Sequence, residues 1–297
     1  MITENTSAAA PAKFGDYLEL TKPRLSLLSV LTALVGYFAA RPAFDPVKVV
    51  CVVVGTSLAA GGVASLNQWL EHDTDARMKR TADRPIPTGK VATGSAFVLG
   101  TLMCIAALFL LFAKVNPLAA MFTLFTIVSY LGWYTPAKRW SRWSTEIGAI
   151  AGAFPPLIGW SAGEGRVTAL GWILFGVLFF WQIPHFMAIA WTYRRDYSAV
   201  HFPMLSVRDQ TGAWVAGWSF VNALALVAVS LLPFAFGLAT LWSGVPAGAC
   251  GLWFLWRAAL FLRADGRDVS ARKLFFATLG YLPIVLGTFV ADRVVHF

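Results

Sequence analysis

Charge is scarce in this chain. Of its 297 residues only 13% are Asp, Glu, Lys or Arg, and just 15 are acidic; soluble domains carry about a quarter. That shortage excludes an ordinary water-facing surface. Cysteine is scarce as well. Cys51, Cys104 and Cys250 lie far apart in apolar runs, which argues against a disulfide framework and against a thiolate metal centre. Residues 1–16 hold no apolar core behind a basic start, so neither a cleavable signal peptide nor an Arg/Ser-rich transit sequence is read there.

What abounds is apolar surface: 58% hydrophobic residues, thirteen Trp and twenty-three Phe. Apolar runs of about 17–25 residues recur between charged or turn-rich breaks, near 24–40, 47–70, 91–113, 116–134, 145–162, 168–192, 213–235, 238–261 and 273–293. The expectation is an all-α integral membrane bundle of nine transmembrane helices, with a polar, disordered tail over 1–16 and a single domain over 17–297. Nineteen of the 24 Lys and Arg fall in the N-terminus and in the connections after helices two, four, six and eight; Arg41, Lys48, Lys114, Arg166 and Arg293 make up the other side. The positive-inside rule then puts the N-terminus in the cytoplasm and the C-terminus outside, and a bacterial inner membrane is the simplest address. The net charge of +9 is a topology signal, and no nucleic-acid partner is needed to explain it.

The scarce acids are not spread evenly. At the end of the second run, 100° per residue brings Asn67, Glu71 and Asp75 into one sector of a helix, while Asp73 points the other way. One amide and two carboxylates aimed at a common point suit a cation. The loop beyond them adds Arg77, Lys79, Arg80 and Arg84 around the helix-ending Pro85 and Pro87. A basic connection with Lys138 and Arg139 follows the fourth run. The sixth run ends in a second polar cluster, with Gln182 and His185 one turn apart inside the apolar stretch and Asp196 and Tyr197 beyond it. Pro155 and Pro156 interrupt the fifth run, which reads either as a broken helix lining a pocket or as a packing kink. Carboxylates at two helix ends, ringed by bases and opening into an apolar bundle, fit a diphosphate on a long hydrocarbon tail, with Mg²⁺ shared between carboxylate and phosphate oxygens.

Asn67-x-x-x-Glu71-x-x-x-Asp75-x-x-Met78-x-Arg80-Thr81-x-x-Arg84-Pro85 resembles the first motif of the intramembrane UbiA-type prenyltransferase superfamily, in the form found in protohaem IX farnesyltransferases, or haem O synthases. Tyr134-Thr135 with Lys138-Arg139, the run Gly152 to Trp160, Trp181-Gln182-Ile183-Pro184-His185-Phe186, Asp196-Tyr197 and Phe202-Pro203-Met204-Leu205 are similar to that family in the same order, and Tyr17 to Arg24 matches its N-terminal segment. The resemblance covers residues 17–290. It implies a nine-helix fold and transfer of a farnesyl group from farnesyl diphosphate to a vinyl group of haem B, giving haem O and diphosphate. By position it implies Asn67, Glu71, Asp75 and Asp196 as Mg²⁺ ligands, and Arg80, Arg84, Lys138 and Arg139 as diphosphate contacts. Catalytic roles would fall on Asn67, Glu71, Asp75, Asp196 and Lys138; the haem-contact candidates, His185 with Gln182 and Tyr197, rest instead on imidazole being a common ligand of haem iron. The Lys/Arg topology faces this site toward the cytoplasm, and the implied product would go to a haem A synthase or terminal-oxidase assembly factors downstream.

Two positions depart from the family pattern. His201 stands where Gly is usual, offering either a second imidazole or an altered turn, and Glu146 stands where Asn is more usual, an extra carboxylate expected near Lys138 and Arg139. Three rival functions remain on the sequence: a related prenyltransferase acting on an aromatic acid or quinone precursor, a transporter, and a haem chaperone. A transport path would carry polar groups at the membrane midplane, whereas the strong acids here gather at one side.

Overall fold

The computed structural model describes residues 12–297. The first eleven residues of the expected polar tail lie outside this range. From Phe14 the chain is already helical: α1, Phe14–Leu20, is held at its start by Asp16, whose carboxylate accepts from the Lys13 backbone N–H at 2.8 Å. Lys22, in the left-handed conformation (φ 46°), turns the chain into α2, Pro23–Ala39, with proline at the first helical position. After it come α3, Pro46–Asp75, capped by Asp45; α4, Thr93–Lys114; and α5, Pro117–Val128, capped by Asn116. A π-helical stretch, Ser129–Tyr134, leads into α6, Thr135–Trp140. The fifth apolar run is divided at Phe154 into α7, Ser144–Ala153, and α8, Pro155–Glu164. Then follow α9, Ala169–Thr192, and two short helices, α10, Arg194–Ala199, and α11, Leu205–Arg208. The chain ends with α12, Ala213–Ala235, α13, Leu241–Leu262, and α14, Arg267–His296.

Among the described residues there is no strand, so the expected all-α class holds. Helices cover each of the nine apolar runs. Seven stretches are long and apolar enough to cross a bilayer, with 117–140 counted as one; α2 has seventeen residues and 144–164 is divided. The outer surface is what lipid requires. Phe109, Leu252 and Phe276 are 73%, 72% and 66% exposed, an arrangement water would penalise and hydrocarbon does not. The chain is a multi-span membrane protein.

Small residues set how closely the rods approach. A Cβ on Gly62 of α3 would lie 2.8 Å from the Gly100 carbonyl oxygen of α4, and one on Gly100 would lie 2.9 Å from that of Gly62. The same reciprocity joins α2 to α8: a Cβ on Gly36 would collide with the Pro156 carbonyl, and one on Gly159 with that of Ala33. Lipid gives helices no hydrophobic reason to associate, so close backbone contact supplies the attraction. The interruption at Pro155 and Pro156 is therefore a packing kink that seats α8 on α2.

Buried polar groups at the two ends fix the bundle. At one, fully buried Asp292 of α14 accepts from the Thr240 N–H (2.7 Å) and from the Ser243 hydroxyl (2.7 Å) at the start of α13. At the other, Arg267 donates to the carbonyls of Leu262 and Thr211, and the Trp191 indole donates to Asp268 at 2.7 Å. Asp209 accepts from the N–H groups of Gly212, Trp214 and Val215. Burial alone would push that carboxyl up, but these donors hold it below the usual range. This second end carries the acidic and basic loops.

Candidate functional site

The site grows out of the last three turns of α3. Asn67, Glu71 and Asp75 recur every four residues on one stripe, and all three are buried, with 2%, 5% and 3% exposure. Asp73, as expected, lies on the outer side, bonded to Arg139 at 2.8 Å. Burying two carboxylates is tolerated only with close cations. Lys138 of α6 supplies one: its Nζ donates to Glu71 Oε2 at 2.7 Å and lies 2.6 Å from Oε1. The Arg84 guanidinium supplies the other, 2.5 Å from Asp75 Oδ2. Asn67 Nδ2 donates to Glu71 Oε2 (2.8 Å) and to Thr135 Oγ1 (3.2 Å), so its side-chain oxygen faces away from both.

The π-helical stretch puts Lys138 where it is. It presents Tyr130 and Tyr134 edge to face, ring centres 5.0 Å apart, beneath the Lys138 ammonium, which lies 4.6 Å from the Tyr134 centroid. A single π turn shifts the register of everything after it, and here it turns Thr135 and Lys138 onto α3. Gly148 of α7 leaves room for the Tyr134 ring, which would lie 2.7 Å from a Cβ there.

Sequence reading missed one cation. Lys22, half-buried at the turn before α2, carries its amine into the interior among Arg84, Lys138, Asp75 and Glu71. Burial first, and then the Arg84 and Lys138 charges, lower its pKa from 10.5 to about 7. Its neighbours Pro23 and Arg24 suggest only a membrane-surface anchor; the Leu20 carbonyl, which accepts from the Gln68 side chain of α3 at 2.9 Å, is what draws the segment in.

Of the diphosphate candidates, Arg84 and Lys138 meet the carboxylate stripe. Arg80 lies at the seam between the two loops: it donates to the Tyr197 hydroxyl at 3.1 Å and stacks near the Tyr193 and Tyr197 rings. Met78 packs there with Val200, Phe202 and Met204. Arg139 departs, because Asp73 and the Leu70 carbonyl hold it on the exposed side. Asp196 is half-buried on α10, next to Tyr197; its backbone N–H donates to the Tyr193 carbonyl, and among the described residues its carboxylate has no hydrogen-bond or ion-pair partner.

His185 and Gln182 do not form a pair. Gln182 is buried against α7, donating to the carbonyls of Ala149 (3.3 Å) and Leu178 (3.0 Å). His185 turns to α14, between the rings of Trp181 and Phe275 at 4.8 and 5.0 Å, with Nδ1 2.7 Å from Thr278 Oγ1. The Thr278 hydroxyl already donates to the Phe275 carbonyl at 2.5 Å. With that proton on the Phe275 carbonyl, Nδ1 is the donor to Thr278 and Nε2 keeps its lone pair. The two departures are also located. Glu146 lies beside Trp218, whose indole donates to it at 2.5 Å, and not beside Lys138 and Arg139. His201 is exposed at a left-handed φ of 59°, the conformation for which glycine is usual, so it changes a turn.

Hard oxygen donors and an adjoining cluster of bases suit Mg²⁺ with a phosphate ligand. The fit is partial by design: among the described residues no three His, Cys, Asp or Glu converge on one point. Glu71 Oε1, however, is buried without a hydrogen-bond partner, the Lys138 ammonium being close but out of line. That oxygen is available to a cation completed by substrate oxygens.

Residues 29–280 match the UbiA prenyltransferase family. The chain belongs to that family. It is 74% identical over 289 residues to the protoheme IX farnesyltransferase of Opitutus terrae, covering 97% of this chain and 98% of that one. It is 39% identical to the protein of the same name from Solibacter usitatus, covering 94% and 98%. Among solved structures, digeranylgeranylglyceryl phosphate synthase superposes with a TM-score of 0.80 at 17% identity, over 94% of this chain and 98% of that one. A UbiA homologue from Archaeoglobus fulgidus bound to GPP and Mg²⁺ gives 0.66 at 14%, over 94% and 100%. These last two share the UbiA fold.

Proposed function

We propose that this chain transfers a farnesyl group from farnesyl diphosphate to a vinyl group of haem B, forming haem O and diphosphate. The observation that carries the proposal is the 74% identity, along nearly the whole chain, to a protein named for that reaction. The C1–O bond of the farnesyl diphosphate breaks, the terminal vinyl carbon forms a bond to the farnesyl cation, and water adds its hydroxyl to the neighbouring carbon and releases a proton.

The residues divide the labour by position. Asn67, Glu71 and Asp75, with Asp196 from the second loop, would hold Mg²⁺. The ion would supply charge neutralisation to the leaving diphosphate. Lys138 and Arg84 balance the carboxylates and, with Lys22 and Arg80, meet the negative charge that grows on the leaving group. Arg139, tied to Asp73, serves at the rim. Tyr130 and Tyr134 present π faces beside the reacting carbon, and the buried site keeps water from the cation until the vinyl group attacks. His185 offers its Nε2 lone pair to the haem iron, which imidazole commonly ligates; Tyr197 contacts haem from the second loop, and Gln182 shapes that wall by clamping α7 to α9.

We place 17–297 in one domain of nine membrane-spanning helices, with α8 completing the fifth span, the N-terminus and the site on the cytoplasmic side of a bacterial inner membrane, and the C-terminus outside. Haem O would pass to a haem A synthase or to oxidase-assembly factors. The test is a transfer assay on the purified chain with farnesyl diphosphate, haem B and Mg²⁺, read by product mass. Haem O should form only with Mg²⁺ present; transfer to a phenolic acid or quinone precursor and not to haem B would sink the proposal.

A further inference from the structure

We infer that the chain holds an anionic phospholipid headgroup in a groove between the end of α13 and the start of α14. This groove, of about 360 Å³, is lined by Arg257, Arg263 and Lys273, with Asp265 as its one carboxylate. Three cations against one anion leave a net +2, and none of the three forms an ion pair among the described residues. The nearby Arg267 and Asp268 do not alter the balance, because Arg267 is spent on backbone carbonyls and Asp268 on Trp191 and Arg194.

Arg257 separates this groove from ordinary basic decoration at a helix end. It lies five residues inside the end of α13, within an apolar helix long enough to span a bilayer. An arginine at that depth is costly unless an anion meets it or its head reaches the interface. Its guanidinium is directed by Trp256, at 4.4 Å, with the Trp253 ring at 6.0 Å. Both tryptophans are exposed, at 53% and 38%, on the lipid-facing surface. Trp at this level marks the headgroup layer. A planar guanidinium presents a pair of donors to a phosphodiester, and Arg263 and Lys273 close the other sides. The exposed side chains of Val269 and Phe276 lie along the outer face, where acyl chains would run. The groove opens at the same end of the bundle as the carboxylate stripe but on different helices, so a lipid there need not compete with substrate.

The test is native mass spectrometry of the full chain in a neutral detergent, with phosphatidylglycerol or phosphatidylcholine added. Phosphatidylglycerol should be retained about 25-fold better than phosphatidylcholine, since each of the two net cations contributes roughly 1 kcal/mol, about fivefold, toward an anionic headgroup. R257Q/K273Q should fall to the phosphatidylcholine level, while keeping its thermal midpoint in choline-lipid micelles and its farnesyl-transfer rate. Arg263→Gln, on the loop, should lose about fivefold of that preference with less risk to the helices. Equal retention of the two lipids, or unchanged retention in either variant, would overturn the inference. So would displacement of the bound lipid by millimolar inorganic phosphate, because the site would then be a free-anion site.

Discussion

The buried pair of Glu71 and Lys138 makes a demand on stability that is separable from its part in catalysis. The residues are 5% and 9% exposed, and the ammonium lies 2.6 and 2.7 Å from the two carboxylate oxygens. Glu71→Gln leaves the lysine charge buried beside Arg84 and Lys22, and Lys138→Met leaves the carboxylate with only the Asn67 amide. Each single change should cost about 3–5 kcal/mol, the usual penalty for an orphaned buried charge. The double variant removes both charges at nearly constant volume and should be close to wild type in stability, since apolar replacement of a buried pair is often neutral. The coupling energy would then be about 6–10 kcal/mol, against about 0.2–1 kcal/mol for an exposed pair. Unfolding titrations in mixed micelles measure it, and transfer assays on the same samples should find all three variants inactive by orders of magnitude. Additive costs in the double variant would refute the reasoning, because the two groups would then not be each other's counter-charge.

Three more outcomes follow from the same geometry. Thr278→Val removes the acceptor of the His185 Nδ1 proton; haem binding, read from the Soret band, should weaken by about 10–100-fold, as when a metal-ligating histidine loses its outer partner, and His185→Ala should lose the iron-ligation signature altogether. The Lys22 amine, with its pKa lowered from 10.5 to about 7, binds fewer protons when folded than when unfolded across that interval, so the empty protein should gain stability as pH rises from about 7 toward 10.5. Inorganic diphosphate should reverse the preference, and calorimetry at pH 8 in buffers of different ionisation heat should find proton uptake that Lys22→Gln lacks. His201→Gly relieves a left-handed residue and should stabilise the fold by about 1 kcal/mol in thermal melts without changing transfer.

Much of the architecture was legible because a bilayer simplifies the code. Apolar runs of bilayer length and the scarcity of charge dictate helices at nine places, and the structure moves their ends by only a few residues. The stripe of Asn67, Glu71 and Asp75 was legible too, since spacing by four is a property of the helix itself. Partners were not. Gln182 and His185 are one turn apart and read as a pair, yet one bonds α7 and the other α14, because the small angular offset between them falls across the seam where two neighbouring helices meet. Arg139 reads as a twin of Lys138, but adjacent residues on a helix diverge by 100°, and it reaches Asp73 instead.

The sequence by itself determined the membrane class, the helical runs, the acidic stripe and, through its motifs, the family. Each of these is encoded in local composition or in spacing along one helix. Only the tertiary structure decided which cations answer which carboxylates, that Lys22 is drawn into the site, and that Thr278 sets the tautomer of His185. Apart from Arg84 with Asp75, nine positions away, those contacts join residues 49 to 116 positions apart, and they depend on a π turn and on glycine-mediated helix approach whose effects on register no local pattern records.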